Sequence, residues 1–137
     1  MSMSNHWLVK SEASAYSWQD MEKDKKTCWN GVRNFQANNY LKAMKKGDKC
    51  FFYYSGKERA VVGIIEVAKE FYPDEKDDTG KFGMVDVKLE KRLKTPVTLA
   101  AIKNNPALAG LPLIKQSRLS VMPIKEKEWA IIMKMAG

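Results

Sequence analysis

Apolar and polar residues alternate along much of this 137-residue chain, and elsewhere they recur at helical spacing. His6 to Lys10 puts Trp7 and Val9 on one face and Leu8 on the other, which predicts a first strand. Ser17, with Asp20 three residues on, has the form of a capping box and predicts a short helix to about Lys23. Asn30-Gly31 reads as a turn. Ala37, Tyr40, Leu41 and Met44 then fall at i, i+3, i+4 and i+7, predicting a helix over Gln36 to Met44 that Gly47-Asp48 stops. Lys49 to Tyr54 is dense in β-forming aromatics and closes at Ser55-Gly56. Ala60 to Phe71 predicts a long strand whose unbroken apolar start implies cover on both faces. After an acidic loop, Tyr72 to Gly80, the segment Phe82 to Leu93 alternates again, with Val85, Val87 and Leu89 on one side. Pro96 and Thr98 introduce a helix carrying Leu99 and Ile102, which Asn105-Pro106 ends. One more helical turn follows to Gly110, then a strand within Gln116 to Met122 that Pro123 closes. An amphipathic helix over Glu126 to Met135, with Trp129, Ile132 and Met133 on its stripe, completes the pattern.

The links between strands are too short for repeated helical crossovers. The expected class is therefore α+β: a small, mostly antiparallel β-barrel of about five or six strands flanked by helices, closed because closure removes edges. No repeat or low-complexity linker divides the chain, so residues 1–137 are read as one domain.

Composition adds a direction. A formal net charge of +8 and a sequence pI near 9.5 favour polyanionic partners, since neutralising phosphates releases condensed counterions. Cys28 and Cys50 lack CxxC spacing and the single His6 cannot complete a ligand set, so no metal is expected and both thiols are read as reduced and partly buried. The amino terminus lacks the layout of a signal peptide and no apolar run approaches the ~20 residues of a membrane span. A cytoplasmic monomer (nuclear in a eukaryote), with no cofactor and no membrane partner, is the expectation.

Three segments carry more polar and aromatic detail than folding needs. Lys10, Ser11 and Glu12 place an ammonium, a hydroxyl and a carboxylate at a strand end; a solvated end with a local salt bridge is the plainer reading. Trp29, Asn30, Arg33 and Asn34 join a stacking surface to hydrogen-bonding groups, the chemistry that holds and reads a base. The alternative makes Trp29 core, Arg33 an ion-pair partner and Asn34 a helix cap. Ser117, Arg118 and Ser120 precede the late strand; Leu119 and Val121 would face the core, leaving Arg118 to hold a phosphate, read a base or neutralise a nearby acid. One of Tyr53 and Tyr54 is expected to face away from the core as a cage wall. No GxSxG, Walker loop, dinucleotide fingerprint or HExxH occurs.

Taken in order, HWLVKSEASAYSW, CWNGVRNFQANNYLKAMKKGDKCFFYYSG, TPVTLAAIK and QSRLSVMPI resemble the EVE domain, a PUA-like family, over almost the whole chain. The resemblance implies a pocket that accepts a flipped, modified base, as in the related YTH domains. That pocket would be built from Lys10, Ser11, Glu12, Trp29, Asn30, Arg33, Asn34, Tyr53, Tyr54, Ser117, Arg118 and Ser120. Trp29 would be its stacking wall, Ser11 and Glu12 would read the base edge, and Arg118 with Lys42, Lys45 and Lys46 would take phosphates. The implied partner is DNA or RNA carrying a modified cytosine or adenine. Ala13, Phe35, Asn38 and Tyr54 stand where the family often has proline, tyrosine, arginine and histidine. Two other readings stay open: a small amidohydrolase acting on an acylated nucleoside through Lys10 and Glu12, like the ASCH relatives, and a protein-interaction module.

Overall fold

The computed structural model describes residues 6–137. Among them the order is β1 (His6–Glu12), α1 (Trp18–Asp24), β2 (Lys26–Trp29), α2 (Phe35–Ala43), β3 (Lys49–Ser55), β4 (Ala60–Pro73), β5 (Gly83–Thr98), α3 (Leu99–Lys103), a 3-10 turn (Pro106–Leu108), α4 (Pro112–Lys115), β6 (Val121–Ile124) and α5 (Glu126–Met135). No helix among these residues is long and apolar enough to cross a membrane.

The strands form one mixed sheet in the order β2-β5-β4-β3-β1-β6. β1 runs parallel to β3, from His6 against Lys49 to Glu12 against Ser55, and every other pairing is antiparallel. The expected closed barrel is not what these pairings make: β2 and β6 remain its two ends. β6 is short and carries Pro123, opposite Trp7, inside the strand rather than after it. Proline has no N–H to give a further strand, so its place on an end strand is consistent with an open edge.

The connection from β1 to its parallel neighbour explains what the sequence pattern did not reveal. It carries α1, β2 and α2, and β2 is only Lys-Thr-Cys-Trp, too short to alternate visibly. It pairs with Val85 to Lys88 of β5. In β5 the strand continues through Pro96 to Thr98, which caps α3 by accepting from the Ala101 N–H. α1 begins as expected: the Ser17 side chain accepts from the Asp20 N–H and the Asp20 carboxylate accepts from the Ser17 N–H.

Both faces of the sheet are covered, which is why buried residues run consecutively in β1 and β3. On one face Leu8 and Phe51 lie side by side, and Trp129 of α5 stacks on Phe51 with centroids 3.7 Å apart. On the other, Phe52 meets Trp18 and Trp29 edge-on, and Trp7 meets Tyr40 of α2. The Trp18 ring lies directly over Gly63, where a Cβ would fall inside it. This double cover corrects the expectation for the tyrosine pair: Tyr53 and Tyr54 are both buried, because neither face of β3 is open.

Two buried carboxylates fasten loops to this frame. Asp48 accepts from the Trp7 indole N–H and the Lys45 N–H, both at 2.9 Å, tying the α2–β3 link to β1. Asp74 accepts from the Gly31 N–H at 3.2 Å and the Arg33 guanidinium at 3.1 Å, tying the acidic loop to the turn after β2.

Candidate nucleic-acid interface

The carboxyl ends of β1 and β2 meet across a cleft of about 420 Å³, within the range of small-molecule pockets. Five of the expected residues line it: Lys10, Ser11, Glu12, Trp29 and Asn30. Ala15, Tyr16, Thr27 and Cys28 complete it. Tyr16 is the aromatic residue among these four that sequence reasoning missed. Its only signal was position, since it follows a turn in which the Ala15 and Tyr16 N–H groups both donate to the Glu12 carbonyl. Its hydroxyl donates to Asp24 at 2.8 Å, and burial together with that carboxylate pushes its pKa up to about 12. Tyr16 stays a neutral phenol whose ring meets Trp29 edge-on at 6.5 Å.

The polar groups of the cleft divide by what they already hold. The Ser11 hydroxyl donates to the Tyr16 carbonyl at 2.6 Å, so it fastens the turn. The Lys10 ammonium donates to the Ser117 carbonyl at 2.8 Å, and burial lowers its pKa. Among the described residues no hydrogen bond or ion pair engages the Glu12 carboxylate or the Asn30 amide, and both residues are exposed. These two groups are open to a ligand. Trp29 is only 9% exposed and packs between Tyr16 and Phe52, so it is core and cleft wall at once.

A second groove, of about 310 Å³, is lined by Asn34, Gln36, Lys115, Gln116, Ser117, Arg118 and Leu119. Asn34 also caps α2, accepting from the Ala37 N–H at 2.9 Å. Leu119 and Val121 are buried as expected, while Arg118 is exposed and makes no ion pair among the described residues. Ser120 contributes its carbonyl, which accepts from the Lys10 N–H at 2.9 Å.

The remaining expected residues lie elsewhere. Arg33 pairs with Asp74 and sits 5.7 Å from the Phe82 ring. Tyr54 accepts from the Trp18 N–H and lines a separate depression with Trp18 and Arg92. Tyr53 borders a groove on the far side of Lys10. Lys42, Lys45 and Lys46 lie at the His6–Lys49 end of the sheet, roughly 20 Å along the strands from Glu12 and Ser55. Lys42 leans over the Phe71 ring there. Asn38 is buried, donating to the Lys81 carbonyl and accepting from the Gly83 N–H, so it pins the acidic loop.

Residues 5–135 match the EVE domain family. The chain belongs to that family. It is 33% identical to human thymocyte nuclear protein 1 over 97% of this chain and 74% of that protein. Among solved structures, Rpa0253 from Rhodopseudomonas palustris superposes with a TM-score of 0.92 at 47% identity, covering 97% of this chain and 93% of that one. Human THYN1 protein, solved in complex with 5-methylcytosine-containing DNA, superposes with a TM-score of 0.91 at 31% identity, covering 97% and 98%. A YTH domain from Zygosaccharomyces rouxii, at 17% identity and a TM-score of 0.62 over 97% of this chain and 86% of that one, shares the fold. The mixed, helix-covered sheet matches the fold of these relatives.

Proposed function

We propose that this EVE domain is a non-catalytic nucleic-acid-binding module, acting as a monomer, that takes one flipped, modified base into the cleft between Glu12 and Trp29. The observation that carries the reading is the pairing of an uncommitted carboxylate and amide, Glu12 and Asn30, with an aromatic lining from Trp29 and Tyr16 in one cleft. A carboxylate accepts from an exocyclic amino group such as cytosine N4, and aromatic rings hold the base plane whatever its identity. Lys10 is already committed to Ser117, which argues for a fixed wall rather than a mobile base catalyst. The human relative solved with 5-methylcytosine-containing DNA supports a modified cytosine as the first ligand to test. Arg118 takes a flanking phosphate from the groove it shares with Asn34. Lys42, Lys45 and Lys46 are too far away to flank the same nucleotide.

Flipping costs a few kcal/mol and stacking on an aromatic returns about 1–3 kcal/mol per base, so a lone domain binds weakly and selectively. The test is titration of matched duplexes, with and without one 5-methylcytosine, against the wild type and Trp29→Phe. The wild type is expected to prefer the modified duplex and the variant to lose much of that preference. Equal affinity of the wild type for both duplexes would overturn the reading.

A further inference from the structure

Lys10 separates the base cleft from a third groove, which is cationic and which no sequence motif suggested. It encloses about 290 Å³ and is bordered by Lys10, Tyr53, Arg59, Lys103 and Ser117, with Leu99 and Leu113 as apolar wall. Ser117 also borders the Arg118 groove. The Lys10–Ser117 hydrogen bond therefore lies where three depressions meet: the base cleft, the Arg118 groove and this one.

Arg59 closes the connection between β3 and β4 and leaves most of its guanidinium uncommitted. Its φ of 44° is in the left-handed region that non-glycine residues rarely adopt. Its carbonyl accepts from the Leu99 N–H at 2.7 Å, and its Nε donates to the Gly56 carbonyl at 3.0 Å. No acceptor among the described residues engages its terminal guanidinium nitrogens. Lys103, in the last turn of α3, is exposed and makes no ion pair among those residues. Glu58 lies in the adjoining depression that Arg59 and Lys103 also border. The charge of Arg59 reaches into the groove, opposing the upward push that burial gives the Tyr53 phenol.

We propose that Arg59 and Lys103 form a phosphodiester-binding groove that takes the nucleic-acid backbone across Lys10 from the base cleft. This rests on the base-binding reading and deepens it: the backbone next to the flipped nucleotide runs past Lys10 into this groove. A guanidinium with two free nitrogens matches phosphate oxygens in a fork, and the ammonium adds charge.

The experiment measures binding of a duplex with one 5-methylcytosine, and of its unmodified counterpart, across a salt titration. Wild type is compared with Arg59→Gly, Lys103→Gln and the double variant. Arg59→Gly removes the charge at a position whose backbone favours glycine, and Lys103→Gln changes an exposed side chain, so melting temperatures are expected to hold. Each lost phosphate contact flattens the slope of log K against log salt by about 0.9 on duplex DNA, so the double variant should lose roughly 1.8. The preference for the methylated duplex should survive. A double variant with the wild-type slope overturns the groove while leaving the base cleft standing. A wild type that shows no methyl preference, but whose slope falls in the variants, overturns the base cleft and sustains the groove. A wild type that binds neither duplex overturns both.

Discussion

At the scale of single residues, Glu12 and Asn30 matter because the fold does not use their side chains, whereas it does use those of their neighbours. Glu12→Gln keeps the shape and removes the charge. It is expected to weaken binding of a methylated duplex by about 1–3 kcal/mol, as for loss of a good base-edge contact, with an unchanged melting temperature because the residue is exposed. Isothermal titration beside a thermal melt checks both halves. Gly63 makes the opposite case. Gly63→Ala would drive a methyl into the Trp18 ring, and overpacking of this kind costs about 1–3 kcal/mol in urea unfolding with binding intact. Residue chemistry was readable in the chain only in part. The Ser17–Asp20 box and the Asn34 cap are local patterns and stand where the sequence put them. That Arg33 serves Asp74, 41 positions away, and that Tyr16 joins the cleft depend on tertiary folding, which no local spacing encodes.

At the scale of elements, the links between strands position the cleft, and buried carboxylates hold those links. Asp48→Ala would strip the Trp7 indole and the Lys45 N–H of their acceptor. Leaving buried donors unpaired is expected to cost about 1–3 kcal/mol, seen as a lower urea midpoint. The acidic loop responds to pH. Burial pushes the Asp74 carboxyl up, but the Gly31 and Lys76 N–H groups and Arg33 outweigh it and hold it below the usual range. The Thr79 hydroxyl and the N–H groups of Phe82, Thr79 and Lys81 hold Asp77 down to about 2. Carboxyls depressed by folding stabilise fully above their unfolded values and lose that contribution as pH falls through the folded ones. Amide exchange at Lys81 and Phe82 is therefore expected to accelerate as pH drops from about 3.8 towards about 2, relative to core amides. Of the elements, long strands and the terminal helix were legible because their periods repeat. β2 was not, since four residues at a sheet edge give too little alternation to separate them from a turn.

For the whole molecule, class and covering helices followed from pattern, while the closed barrel did not. Economy of edges argues for closure, yet a short end strand carrying Pro123 guards an open edge by another means. The excess positive charge is spread around the molecule, and only topology decides where each cation lies: Arg59 and Lys103 in the groove across Lys10 from the cleft, Arg118 in the groove that adjoins it at Ser117, and Lys42, Lys45 and Lys46 at the far end. Replacing those three distant lysines with glutamine should leave methyl preference unchanged in competition binding. The central claim, that one modified base enters the Trp29 cleft, is tested most directly by NMR on a duplex whose single 5-methylcytosine carries a ¹³C-labelled methyl group. The account predicts intermolecular NOEs from that methyl to the ring protons of Trp29 or Tyr16. A bound methyl that keeps its intrahelical NOEs to neighbouring bases, with none to either ring, would contradict it.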